Sequence, residues 1–278
     1  MNFAFVTCVQ IGLSCMEELY AVNGTLKLII TLHDEKAKNK SGRIYVDDFA
    51  KLHSIPVIKV NHINDVAAVQ AIKEYAIDWL FIIGWSQIAS LEVVNAPKYG
   101  AIGAHPTLLP QGRGRAAIPW AIIKGLDKTG VTFFKLEENV DTGLLLAQQE
   151  IPLSATETAT VLYEKVNDAH KELISKLYFD LKSGKIKGIE QDESLATYWE
   201  GRTPIDGEIT LDMDVHTVDR LVRATTKPYP GAYIVDKEKK IIIWEGVIST
   251  HKQMLPDTLE LNLHGGYYYA TVFDVLDS

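Results

Sequence analysis

Cysteine is scarce in this chain. Its 278 residues hold two, Cys8 and Cys15. With no framework of pairs, they exclude a disulfide scaffold and read as buried thiols of a reducing compartment. Basic charge is also short: 28 Lys plus Arg stand against 36 Asp plus Glu, a net charge of −8. That excludes the broad basic face that nucleic acid or an anionic membrane requires, but not a local basic pocket. No apolar run reaches membrane-spanning length. No basic stretch followed by an apolar one opens the chain, so no secretory signal is expected. No His, Cys and Asp cluster has ligand spacing, so no metal is expected. Repeats and low-complexity tracts are missing too. The expectation is a cytoplasmic protein that binds neither nucleic acid nor membrane.

What is present is material for a core. Apolar residues make up 47% of the chain, ordinary for a soluble globular protein, and the length suits a main domain with a smaller companion. Strands are expected over residues 3–9, 26–32, 56–60, 78–83 and 99–104. Helices are expected over 13–22, 46–53, 65–75 and 116–124, with a polar, mostly basic loop over 33–43. This alternation predicts an α/β fold: a parallel-rich, Rossmann-like sheet with helices on both faces. Further strands are expected over 129–136 and 144–151. Residues 156–181 then read as a long amphipathic helix, with Thr156 as its cap. From about 182 to 194 the chain is polar and reads as a linker. Beyond it, short strand candidates over 207–211, 232–235, 240–244 and 266–270, with a helix over 215–224, predict a small β-rich subdomain. The expected division is 1–181, 182–194 and 195–278.

The chemistry concentrates in Gly103-Ala104-His105-Pro106-Thr107-Leu108-Leu109-Pro110-Gln111-Gly112-Arg113-Gly114-Arg115, answered downstream by Val140-Asp141-Thr142-Gly143. A core needs no such loop. A rigid loop that presents one imidazole at a strand end is how α/β enzymes display a catalytic group. Asp141 alone reads as a turn former. Beside His105 it becomes an acid–base couple, because a carboxylate favours the protonated imidazole and orients the ring. Arg113 and Arg115 read either as solvated charges or as an anion site before a helix. Lys36, Lys38, Lys40 and Arg43 form a second basic cluster after a strand, either surface or phosphate site. Gln10-Ile11-Gly12 is a fragment of a dinucleotide loop and too short to carry a nicotinamide. Trp85, in Gly84-Trp85-Ser86, reads as core or as a pocket wall for a flat ring. The Tyr267-Tyr268-Tyr269 run reads as a barrel core or as the interface of a homodimer.

Taken together, these motifs resemble the folate-dependent formyltransferase family. His105-Pro106-Thr107-Leu108-Leu109-Pro110-x-x-Arg113-Gly114 and Asp141-Thr142-Gly143 match its coupled signatures. Arg202-Thr203-Pro204-x-Asp206-Gly207 and Pro228-Tyr229-Pro230-Gly231-Ala232 resemble the start of the barrel-like (OB-like) appendage of its tRNA and sugar enzymes. The resemblance implies N10-formyltetrahydrofolate as formyl donor and an amine as acceptor, with His105 and Asp141 as the catalytic pair. It implies donor contacts at Trp85, Ser86, Leu108, Arg113, Glu137, Asn139 and Val140. For the acceptor, a nucleotide-linked amino sugar, the expected contacts are Gln10, Lys40, Arg43, Arg115 and Tyr229. The family has Asn two residues before the His, where this chain has Gly103. That implies an oxyanion position without its side-chain amide, with room for a water. Two alternatives stand beside the sugar reading: formylation of methionyl-tRNA, and a folate- or sugar-binding relative with impaired catalysis.

Overall fold

The computed structural model describes residues 1–37, 42–236 and 239–277. The chain forms two compact units. One takes Met1–Arg113, Gly130–Ile151 and Val166–Tyr198, and the other Gly114–Thr129, Pro152–Lys165 and Trp199–Ser278. The units therefore interleave along the chain and do not part at one linker. The expected linker, 182–194, belongs to the first unit. Ile189 bridges Leu145 there, with Leu145 N–H donating to the Ile189 carbonyl at 2.8 Å. Polarity marks this stretch as exposed, but its backbone is a sheet partner.

The first unit is built on β1 (Phe3–Val6), β2 (Leu28–Leu32), β3 (Val57–Val60), β4 (Trp79–Ile82) and β5 (Ala101–His105). The two-residue β6 (Arg113–Gly114) precedes β7 (Lys128–Lys135) and β8 (Leu145–Pro152). The main sheet has the order β3-β2-β1-β4-β5-β7-β8. Its first five strands are parallel, and β7 runs antiparallel to β5, pairing His105 with Thr132 and Gly103 with Phe134. This pairing carries β5 on through His105, one residue past the expected end.

The helices are α1 (Gln10–Ala21), α2 (Asp34–Ala37), α3 (Asp47–His53), α4 (Val66–Glu74), α5 (Leu91–Val94), α6 (Ala117–Ile123) and α7 (Ala159–Ser183). The apolar runs of β1 and β4, and β2 with its single Thr31, are buried throughout, as central strands covered on both faces must be. One core cluster joins Val6, Ile30 and Leu80 to Val69 and Ile72 of α4. Burying each such side chain contributes about 1.5–3 kcal/mol. Helix α7 starts later than expected. Thr158, not Thr156, accepts from the Val161 N–H in its first turn. Both thiols are buried and unpaired with each other, and burial pushes that of Cys15 up.

In the second unit, α8 (Val215–Thr225) covers an antiparallel sheet of β10 (Ala232–Asp236), β11 (Lys239–Ser249), β12 (Leu259–Leu263) and β13 (Gly266–Asp277), ordered β10-β11-β13-β12. The short β9 (Tyr198–Trp199) lies where the chain passes from the first unit to the second. Asp214 caps α8 by accepting from the His216 and Thr217 N–H groups, and Val215, Val218 and Val222 place one apolar stripe on the sheet. Residues 207–211 form only a single bridge, Glu208 to Tyr233, not the expected strand. The alternating Leu259-Glu260-Leu261-Asn262-Leu263 is a strand that the sequence reading passes over. Tyr268 and Tyr269 are fully buried within the unit. These two rings fill its own core, and Tyr267 beside them is half-buried. Among the described residues, no helix is long and apolar enough to cross a membrane.

Candidate active site

In a parallel sheet the carboxyl ends of the strands collect ligands. Here that edge collects Gln10 after β1, Trp85 and Ser86 after β4, and His105 at the end of β5. The last strand carries the chemistry. Residues two apart on a strand share a face, so His105 projects on the same side as Gly103.

The His105 ring is anchored by one carbonyl. Its Nε2 lies 2.8 Å from the Gly112 carbonyl oxygen. A carbonyl only accepts, so Nε2 carries the hydrogen. The neutral ring then keeps its lone pair on Nδ1, which lies 3.8 Å from Asp141 Oδ2. Both side chains are nearly buried, at 10% and 13% exposure. The orienting partner of the ring is thus the Gly112 backbone, not Asp141 as expected. Asp141 sits where a proton gained on Nδ1 would face it.

Asp141 reaches this place on a strained turn. Its φ is +58°, a left-handed conformation that costs a non-glycine residue energy. At Gly143 any Cβ would collide with the Lys135 carbonyl, so only glycine lets the chain fold back so tightly. The turn is clasped from outside. The Gln191 side-chain NH2 donates to the carbonyls of Asp141 and Gly143, each at 2.8 Å.

Arg113 corrects the expected anion site. It is fully buried, and all five of its guanidinium N–H groups are spent. Nε and Nη2 donate to Gln191 Oε1, Nη1 and Nη2 to the two Glu193 oxygens, and Nη1 also to the Tyr198 hydroxyl. No donor is left for a ligand phosphate or carboxylate. The Glu193 carboxylate, held by this guanidinium, lies below the usual carboxylate range.

Gly103 has an equally concrete explanation. A Cβ there would stand 2.7 Å from Leu136 Cδ2 and 3.2 Å from Phe134 Cζ. Leu136 fills the space expected to hold a water. Behind the strand, His170 is buried, donates from Nδ1 to the Val166 carbonyl at 2.7 Å and packs edge-on against Phe133. Burial pushes its pKa down to about 4.

The remaining expected residues distribute as follows. Asn139 and Val140 line a cavity of about 400 Å³ together with Thr142, Glu193 and Tyr198. Glu137 is exposed, and Leu108 is half-buried against Gly130. Trp85 packs on Cys8, Val9 and Leu32, and its buried indole N–H has no protein acceptor among the described residues. Ser86 is exposed. Gln10 Nε2 donates to Ser14 Oγ. Arg43 donates to the Asp34 carbonyl at 2.7 Å and lies over the Tyr45 ring. Lys40 lies outside the described residues. Arg115, exposed, and Tyr229, whose hydroxyl burial pushes up, belong to the second unit. The sequence reading misses Gln191, Glu193, Tyr198, Leu136 and His170. None carries a motif signal, and three of them lie in or just past the expected linker.

Residues 17–177 match the formyl transferase family, and residues 202–264 match its C-terminal domain. The chain belongs to the formyl transferase family. A methionyl-tRNA formyltransferase of Lachnospira eligens is 31% identical over 81% of this chain and 75% of its own length. The bifunctional polymyxin resistance protein ArnA of Wigglesworthia glossinidia brevipalpis is 31% identical over 92% of this chain, which spans 39% of ArnA's length. Among solved structures, an N-formyltransferase of Helicobacter canadensis, in complex with folinic acid and dTDP-3-aminofucose, superposes with a TM-score of 0.73. It is 15% identical, over 97% of this chain and 98% of its own. This formyltransferase thus has an imidazole–carboxylate pair at the end of β5, beside a loop-lined cavity.

Proposed function

We propose that this formyltransferase moves a formyl group from N10-formyltetrahydrofolate to the amine of a nucleotide-linked amino sugar, in the cytoplasm. The observation that carries the chemistry is the His105–Asp141 pair, with Nδ1 the one ring nitrogen left to take a proton. The acceptor amine must be neutral to attack, and its nitrogen must lose a proton as the carbon–nitrogen bond forms. Nδ1 accepts that proton, and Asp141 stabilises the imidazolium that results. The charged ring in turn stabilises negative charge on the formyl oxygen, which no side chain at position 103 can do. The folate supplies the activated formyl group, and the proton held on Nδ1 passes to its N10 as the formyl carbon–N10 bond breaks and tetrahydrofolate leaves. The cavity beside Asn139 and Val140 and the unpartnered Trp85 indole N–H fit a flat, polar-edged donor. Arg113 has no part in holding it.

The net charge of −8 favours a sugar acceptor, and the fold shared with an N-formyltransferase bound to dTDP-3-aminofucose is compatible with one. The 31% identity to a methionyl-tRNA formyltransferase supports tRNA as the second reading. The test is a side-by-side assay with formyl-folate at physiological salt, offering dTDP-3-aminofucose and methionyl-tRNA. Turnover of the sugar nucleotide and not the tRNA is expected. A higher kcat/KM on the tRNA would overturn the sugar reading and leave the His105–Asp141 chemistry standing. Arg43→Ala should raise the KM for the sugar nucleotide more than that for folate.

A further inference from the structure

We infer that Gln191 is a positioning residue for the formyl transfer, holding the Asp141 turn in its strained form, and that Arg113 is the buried anchor from which it does so. The inference rests on the reading of His105 and Asp141 as the reacting pair. Four observations join into one chain of contacts within the first unit. Asp141 occupies a left-handed backbone conformation at φ +58°, which local sterics alone do not favour for Asp. Its carbonyl and that of Gly143 both accept from one Gln191 amide. The other end of that amide, Oε1, accepts from Arg113 Nε and Nη2 at 3.3 and 2.8 Å. This fixes which way the amide faces: the oxygen must meet the guanidinium, so the NH2 must meet the two carbonyls. Glu193 and Tyr198 occupy the remaining guanidinium donors. The Arg113 side chain is 0% exposed and that of Glu193 66%, so the anchor is deep while its counter-ion stays wet. An Arg kept out of water with every donor used is fixed in place. It passes that fixity through one amide to the turn carrying the carboxylate. The 3.8 Å separation of Asp141 and His105 is too long for a hydrogen bond between them, and the clasp restrains the turn through its backbone.

The test uses the full chain and two variants. Gln191→Met keeps the length and removes every hydrogen bond. Gln191→Glu keeps the acceptor for Arg113 and removes only the donors to the turn, so it preserves the anchor if Gln191→Met folds poorly. Activity is read with whichever acceptor the enzyme turns over, dTDP-3-aminofucose or methionyl-tRNA, so a wrong acceptor assignment does not disable the test. Amide hydrogen exchange over residues 139–143 is read without substrate. Both variants should speed that exchange about tenfold, reporting local opening of the turn. Both should lower kcat by about 10- to 100-fold while the KM for the folate donor stays within about threefold, because misplacing a reacting group by about 1 Å costs that much. In an Asp141→Asn background, Gln191→Met should lower kcat by less than about threefold further, since the group it positions is already gone. Unchanged exchange over 139–143 overturns the clasp. An equal loss of kcat with and without the Asp141 carboxylate, or no loss at all, overturns the positioning role. If Asp141→Asn alone leaves kcat intact, the reading of the pair fails instead.

Discussion

Gly103→Ala tests the packing that replaces a side chain at the oxyanion position. The new methyl would meet Leu136 Cδ2 at 2.7 Å, Leu136 Cγ at 3.3 Å and Phe134 Cζ at 3.2 Å. Phe134 is buried on the neighbouring strand and cannot move away. Leu136 is half-buried and must yield. Overpacking of this kind costs about 1–3 kcal/mol. Replacing a strand glycine returns about 0.5–1 kcal/mol by restricting the unfolded chain. The net loss is therefore between about 0 and about 2.5 kcal/mol. Leu136→Ala removes the two Leu136 atoms nearest the new methyl, so in that background Gly103→Ala should cost nothing or stabilise. The assay is urea denaturation of the four proteins of the cycle, read as midpoints at constant m. A coupling of about 1 kcal/mol or more is expected. Additive losses would refute the assignment of Leu136 as the occupant. The same geometry gives a catalytic expectation. Removing one oxyanion donor costs other enzymes about 10²- to 10³-fold. Gly103→Asn with Leu136→Ala should therefore raise kcat by at least about threefold over Leu136→Ala alone, whereas Gly103→Asn alone, still crowded by Leu136, should not.

Three further outcomes follow from the site. His105→Asn should lower kcat by about 10²- to 10⁴-fold while leaving folate affinity, measured by fluorescence titration, within a few-fold, because the work of the ring is on charge that develops during attack; near-full turnover would remove His105 from the mechanism. Asp141→Asn should lower kcat with little change in either KM, and a KM effect alone would make Asp141 a binding residue. His170, with its pKa pushed down to about 4, takes up its proton more readily unfolded, near the ordinary His value of about 6.5. Stability should therefore fall as pH drops from about 6.5 towards 4, by up to about 3 kcal/mol, and His170→Gln should flatten that slope in a thermal melt against pH.

Much of this fold is legible in the residues because the signals are strong where burial is complete. The short, β-branched or aromatic apolar runs of β1, β2 and β4 read as strands covered on both faces. The His105 and Asp141 motifs are legible too, since a Pro-stiffened loop and an Asp-Thr-Gly turn have no use in a core. The illegible parts are those decided by partners distant in sequence. Arg113 looks like a solvated charge, and nothing local announces that Glu193 and Gln191, about 80 positions later, will take its donors. The stretch 182–194 holds Gln191 and Glu193, whose side chains bind Arg113 and the Asp141 turn, and a count of polar residues cannot tell this from a linker. Gly103 reads as an empty place, and only the β5–β7 register brings Leu136 over it. The orienting role of Gly112 is a backbone carbonyl, so no side chain records it.

The placement of the anchor has a physical logic. A carboxylate that must help stabilise a transient imidazolium gains from a dry setting, where its field is less screened. The loop before it is exposed over 137–140, and a left-handed Asp there needs its backbone held in place. Direct pairing of Asp141 with a cation would hold it, but would also neutralise the charge that the imidazolium needs. Arg113 avoids this conflict by acting on the backbone through a neutral amide. Its own charge is met by Glu193, and Gln191 passes on position without passing on charge. The carboxylate of Asp141 faces Nδ1 at 3.8 Å. An Arg paired to Asp141 itself would fix the same turn and weaken the same reaction, which is a physical reason for a glutamine to stand between them.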